Sequence, residues 1–153
     1  LGEPELKDEL LKGKTIGSMT YKVHLDGYDQ TELLSGKGKS KRKDFYYFTE
    51  TTLHGLRYGD WKFLFKTQDK WFNGIQENLN TPLITNLKLD PFERFHEARG
   101  FDEWQENRSW TLAPATAQIA KFMKSLQEYP PRIKSLDFDL DAMVADASAS
   151  QAR

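Results

Sequence analysis

The sequence predicts an α+β fold: a small four-stranded antiparallel sheet with one main C-terminal helix packed on it. Three observations carry this expectation. Residues 45–67 hold runs of aromatic and β-branched side chains that suit a pleated, half-buried surface, and they read as three short strands. Residues 83–89 alternate in the same way and supply a fourth strand. Residues 114–129 then place Ile119, Phe122, Met123, Leu126 and Tyr129 at helical spacing, one stripe along one face. The sheet is expected over 45–89 and the helix over 114–129.

Length and composition bound the answer. A chain of 153 residues makes one domain the expectation, placed at 1–144, with 1–36 as a lead-in segment and 145–153 as a flexible tail of small polar residues. Hydrophobic residues make up 38% and aromatic residues 13%, so the core must lean on its aromatics. The net charge of −1 argues against general attraction to nucleic acid or to an anionic membrane surface. No apolar run approaches the ~20 residues that a spanning helix needs. Cysteine is absent, which removes disulfides, thiolate metal sites and a cysteine nucleophile. Residues 1–13 show no basic-then-apolar signal pattern, and the compartment stays open.

In chain order, residues 4–11 form a short helix: Pro4 suits its first position, Glu3, Glu5 and Asp8 suit its positive end, and Gly13 ends it. Gly13-Lys14-Thr15 and Gly38-Lys39-Ser40 imitate a phosphate loop, but Asp8 and Leu33 stand where that pattern needs a further Gly. Residues 21–25 alternate as a short strand, Asp26-Gly27 signals a turn, and 29–34 makes about one helical turn. His24, Asp26 and Asp29 match no standard metal spacing, so the turn reading is preferred. The basic run 36–43 reads as a solvated loop feeding the sheet, with no aromatics inside it for base stacking.

Within the sheet, Tyr58-Gly59-Asp60 is a tight turn. Trp61, Phe63 and Phe65 point one way, and Lys62, Leu64 and Lys66 point the other, one face on a core and one mostly in water. His54, mid-sheet, reads as a packed or hydrogen-bonded residue. Residues 68–81 read as a polar loop, with Trp71-Phe72 pinning it to the body. Asp90-Pro91 stops the fourth strand. Residues 92–110 are mixed, with weak helical periodicity. His96 and Glu97 are adjacent and form no HExxH pair. Pro114 opens the main helix and Pro130-Pro131 ends it. Asp137, Asp139 and Asp141 imitate the start of a calcium loop, but Ala142 stands where that loop needs Gly.

Five segments in order then resemble one family: GEPELKDELLKG, YKVHLDGYDQTELLSGKG, FYYFTETTLHGLRYGDWKFLF, NLKLDPFERF and EYPPRIKSLDF. Together they cover nearly the whole chain, from Gly2 to Phe138. The chain resembles the C-terminal region of a bacterial arylsulfatase of the formylglycine-dependent sulfatase family. The resemblance implies a small antiparallel sheet with a helix on it, set against a larger α/β catalytic domain. The parent reaction would be hydrolysis of a sulfate ester, with calcium and formylglycine as the family's cofactors and a periplasmic or secreted parent.

The family's Cys- or Ser-x-Pro-x-Arg motif is missing. Pro130 and Arg132 have the required spacing, but Glu128 lies where the Ser belongs, and no Asp-Asn pair occurs. No catalytic residue, no metal ligand and no cofactor is therefore expected in these residues. Lys22 and His24, at the junction that would face a catalytic domain, are the substrate-side candidates. The expected partner is a sulfatase catalytic domain, or a second copy of the chain through an exposed apolar face. A free-standing binding or self-association module is the alternative reading.

Overall fold

The computed structural model describes residues 5–49, 52–70 and 73–130. They fall into two compact units. One holds the described residues up to Lys43 together with those from Phe122 onward; the other runs from Asp44 to Lys121.

The second unit is built on a four-stranded antiparallel meander. Its strands are β3 (Asp44–Thr49), β4 (Thr52–Tyr58), β5 (Trp61–Gln68) and β6 (Gln76–Asn86), paired in the order β3-β4-β5-β6. Gly59, at φ 62, lets the chain reverse between β4 and β5, where Tyr58 pairs with Trp61. Register places Tyr46 opposite Leu56, Leu56 opposite Phe63, and Phe63 opposite Ile84. This row crosses all four strands, and Leu56, Phe63 and Ile84 are its buried centre. Burying each such side chain contributes roughly 1.5–3 kcal/mol.

Helix α4 (Leu112–Glu128) covers that row and completes the α+β layer. Ala115 is buried in the core, with Leu112 and Ile119 packed against it. These three lie at i−3, i and i+4, one helical face. Of the expected stripe, Ile119 packs on this sheet core; Phe122, Met123, Leu126 and Tyr129 belong to the other unit. Small Ala115 lets the helix approach the strands, which a stripe of large residues alone does not reveal. The helix starts two residues before Pro114, because the first turn has N–H groups without helical partners and tolerates a proline. Gln118 Nε2 donates to Asp44 Oδ2 at 2.6 Å, and the Tyr46 hydroxyl donates to the Gln118 carbonyl at 3.2 Å, tying α4 to β3.

In the sheet unit, two strand expectations need correction. The segment read as a polar loop over 68–81 contains the start of β6: Gln76, Glu77 and Asn78 pair with Gln68, Thr67 and Lys66. Polar side chains on an exposed edge strand hide the alternation that marks a half-buried one. Between Asn78 and Leu83 the register shifts, at the stretch that contains Pro82, which cannot donate to the ladder. The same strand ends at Asn86 rather than at 89. There Asn86 Oδ1 accepts the backbone N–H groups of Lys88 and Leu89 and folds the chain into a turn. Trp71 and Phe72 lie outside the described residues, as do Asp137, Asp139, Asp141 and the tail.

The far face of β5 is more covered than alternation predicts. The Lys62 ammonium, 15% exposed, bonds Glu93 Oε2 at 2.6 Å and sits 5.0 Å from the Tyr47 ring centroid. Glu93 holds a left-handed backbone (φ 56), uncommon for a residue with a Cβ. The mixed segment before α4 folds as a 3₁₀ turn (Phe95–Glu97), helix α3 (Phe101–Glu106) and a second 3₁₀ turn (Ser109–Thr111). Gln105 Oε1 on α3 accepts the N–H of Ile84 at 2.9 Å, satisfying a donor on the outer edge of β6.

The first unit begins with α1 (Leu6–Lys12), ended at Gly13, whose φ of 108 suits glycine alone. A hairpin follows: β1 (Lys14–Ile16) pairs with β2 (Met19–Tyr21) through a turn with Gly17 at φ 63. The phosphate-loop imitation at Gly13-Lys14-Thr15 is thus the start of a strand. The expected strand over 21–25 shrinks to Tyr21, because the Val23 N–H bonds the Leu10 carbonyl of α1 instead. No turn forms at Asp26-Gly27. The turn chemistry sits at Asp29, whose Oδ1 accepts from the Thr31 N–H and hydroxyl at the head of α2 (Thr31–Leu34).

Candidate functional site

Lys22 and His24, two residues apart on an extended stretch, converge on one ring in the first unit. Tyr129 follows the last turn of α4. Its ring centroid lies 5.9 Å from that of His24 and 5.9 Å from the Lys22 ammonium. The Tyr129 hydroxyl donates to the Leu11 carbonyl at 3.4 Å, which fixes the ring against the end of α1. Partial burial, and then the neighbouring Glu128 carboxylate, push the Tyr129 phenol above its ordinary value. It is therefore a neutral platform at ordinary pH. His24 Nδ1 lies 3.2 Å from Asp26 Oδ1, an orienting contact for the imidazole. The patch offers an ammonium that can attract an anion and an imidazole that can hydrogen-bond one, while the negative face of the Tyr129 ring holds the ammonium in place.

The basic run turns back on its own unit. Lys41 reaches Asp29 Oδ2 at 3.4 Å, and the Arg42 guanidinium donates to the Asp26 carbonyl at 3.2 Å and lies 5.0 Å from the Tyr28 ring centroid. Two of its charges are thereby engaged within the protein.

The second unit contains a cavity of about 450 Å³. Ile84, Thr85 and Asn86 from the end of β6 form one wall; Leu89, Asp90, Arg94, Phe95 and His96 from the following turn form another; Phe101 and Trp104 from α3 close it. Asp90 Oδ2 accepts the Phe95 N–H at 2.8 Å. Backbone donors, with Phe95 foremost, hold this carboxyl below the ordinary carboxylate value. Phe95 meets Trp104 edge-to-face at 5.4 Å, and Phe101 stacks on Trp104 at 6.0 Å. In the sequence, Asp90-Pro91 reads only as a strand stop. The signal for a site was the density of polar and aromatic side chains in NLKLDPFERFH, which alone does not say that they share a cavity.

Among the described residues, no three His, Cys, Asp or Glu side chains converge as metal ligands, and no helix is long and apolar enough to cross a membrane.

No family model matches the chain, and no curated protein sequence matches it. Its fold has a solved counterpart. It is similar to part of the PsFucS1 sulfatase from Pseudoalteromonas sp., known from a crystal structure, with a TM-score of 0.57 and 27% sequence identity. The match covers 69% of this chain and 21% of that one, so the chain spans about a fifth of the sulfatase it resembles.

Proposed function

We propose that this chain is the C-terminal, non-catalytic region of a formylglycine-dependent sulfatase of the arylsulfatase type. The observation that carries the proposal is the sulfatase neighbour, 27% identical over 69% of this chain while matched over 21% of its own length. In this reading the sheet and α4 buttress a larger catalytic domain, which supplies the nucleophile. The 153 residues contain no Cys and no Ser-x-Pro-x-Arg motif from which formylglycine is made. The family's calcium finds no fitting donor set among the described residues and would belong to the catalytic domain. Lys22 and His24, gathered on Tyr129, form one rim of the substrate cleft and draw the anionic sulfate ester toward it.

The test is a mixing experiment. A catalytic fragment bearing Cys-x-Pro-x-Arg, from a sulfatase with the same C-terminal pattern, is assayed for aryl sulfate turnover with and without this chain. Restored turnover is the expected result. A well-folded chain that neither binds nor rescues the fragment defeats the proposal, as does turnover by the pure chain above a buffer blank.

A second reading, self-association, draws on exposed apolar side chains. In the second unit Ile75 is 81% exposed, Phe92 81%, Leu89 72% and Trp110 66%. A sedimentation series across concentration separates the two: a reversible dimer favours this reading, and a monomer at every concentration removes it.

A further inference from the structure

We propose that the cavity lined by the end of β6, the turn through Asp90 to His96 and α3 is a binding site for a small aryl oxyanion, a flat apolar body carrying one carboxylate or sulfo group. Its volume of about 450 Å³ lies within the range of small-ligand sites. Its walls divide by chemistry. Ile84, Leu89, Phe95, Phe101 and Trp104 supply an apolar lining, three of them aromatic and held edge-to-face or stacked, which favours a planar guest over a branched one.

The polar lining consists mainly of donors. Arg94 brings a permanent cation whose planar fork fits a carboxylate or a sulfo group. Among the described residues no ion pair forms at Arg94; the ionised Asp90 carboxylate is the one acidic group of the lining, and the nearby acids hold other partners. Asp90 is bound to the Phe95 N–H at 2.8 Å, and Glu93 is paired with Lys62 at 2.6 Å. Asn86 spends its Oδ1 on the Lys88 and Leu89 N–H groups, which leaves its Nδ2 as a donor. Thr85, 7% exposed, adds a hydroxyl, and His96 adds a ring nitrogen. An anionic head on an aromatic body uses both halves of the lining; a sugar or an alkyl chain uses one.

The inference does not depend on the sulfatase reading. A failed mixing experiment leaves it standing, and a failed titration leaves the sulfatase reading standing. The full chain is titrated with benzoate, benzenesulfonate, benzyl alcohol and inorganic sulfate, followed by amide and indole NMR shifts. Saturable shifts at Thr85, Phe95 and the Trp104 indole are expected with at least one aryl anion. Benzyl alcohol and inorganic sulfate should bind at least about tenfold more weakly. The relative affinity of benzoate and benzenesulfonate identifies the head group, and either order supports the site.

Arg94→Gln should weaken the aryl anion by about tenfold and leave benzyl alcohol unchanged. Arg94 is exposed, so the variant should keep its amide spectrum. Leu89→Glu, which puts a negative charge at an exposed position of the lining, should weaken the anion independently. The proposal is overturned if no probe saturates by about 10 mM, if the shifts map elsewhere, if benzyl alcohol or inorganic sulfate binds as well as the aryl anions, or if both variants bind like the parent.

Discussion

The sheet unit buries a continuous row of side chains, whereas the N-terminal unit, among its described residues, fully buries one large apolar side chain and leaves the others half-buried or exposed. Leu56 is 0% exposed, Phe63 2% and Ile84 1%. In the N-terminal unit, among the described residues, Leu10 is the buried apolar side chain, while Ile16 and Met19 are each 54% exposed and Leu34 is 84% exposed. Polar ties supplement that partial burial: Asp29 with Thr31 and Lys41, Arg42 with the Asp26 carbonyl, and two cations against the Tyr28 ring. The one ion pair among them, Asp29 with Lys41, is of the surface kind that contributes little, typically ~0–1 kcal/mol. The difference teaches that one region specifies its fold by packing and the other by turn chemistry and local hydrogen bonds. Substitutions should therefore act unequally on the two.

The largest effect is expected at the centre of the row. Phe63→Ala removes a ring from a site that cannot collapse between two flanking strands, and it should cost about 3–5 kcal/mol in urea unfolding. A loss below about 1 kcal/mol would mean that the row is not the core. Next comes Gly55→Ala. A Cβ there meets the Phe63 carbonyl oxygen at 2.6 Å and Leu64 Cδ2 at 2.9 Å, so backbone must shift, and about 1–3 kcal/mol should be lost. Ile16→Thr in β1 replaces an exposed residue by another strand former and should change stability by no more than about 0.5 kcal/mol. A penalty comparable to that at Phe63 would break the comparison and mark Ile16 as buried in solution.

What was legible in the sequence follows the same division. Trp61, Phe63 and Phe65 alternate because one face of β5 is buried, so their strand and its turn at Gly59 announce themselves. The start of β6 at Gln76 did not, because an edge strand earns its place through backbone pairing, which leaves no mark on side-chain polarity. The hairpin around Gly17 was hidden for the same reason, since Ile16 and Met19 are exposed and three-residue strands carry too little alternation to read. His54 was legible as packed: it is 9% exposed, and it falls where Leu53 and Gly55 pair with Phe48 and Tyr47, leaving it unpaired in a bulge. That its Nε2 lacks a hydrogen-bond partner among the described residues was not, because register shifts cannot be counted from one strand alone. Lys22 and His24 were legible as neighbours on a strand-like stretch. Their common ring, Tyr129, lies more than a hundred positions away, and only the fold brings it near. The cavity needed three separate segments to meet, and no spacing within any one of them encodes that.

The smallest effect tests whether polar ties really hold the N-terminal unit. The Thr31 hydroxyl, 2.6 Å from Asp29 Oδ1, is the first cause that pulls the Asp29 carboxyl from 3.8 down to about 2; the Thr31 N–H at 3.0 Å and the Lys41 ammonium at 3.4 Å follow. A carboxylate whose folded value is depressed contributes stability that is fully present above its unfolded value and is lost as pH falls through the folded one. The contribution of Asp29 should thus be intact above about pH 4 and should vanish towards pH 2. Carboxyl-detected NMR should place the Asp29 midpoint near 2, with α2 amide signals shifting over the same range while the β5 signals stay fixed. Asp29→Asn keeps an acceptor for the Thr31 N–H but not the charge facing Lys41, so it should abolish the pH response of α2. A midpoint at 3.8 would show that Thr31 and Lys41 do not hold the carboxylate in solution, and the N-terminal unit would then need another source of order.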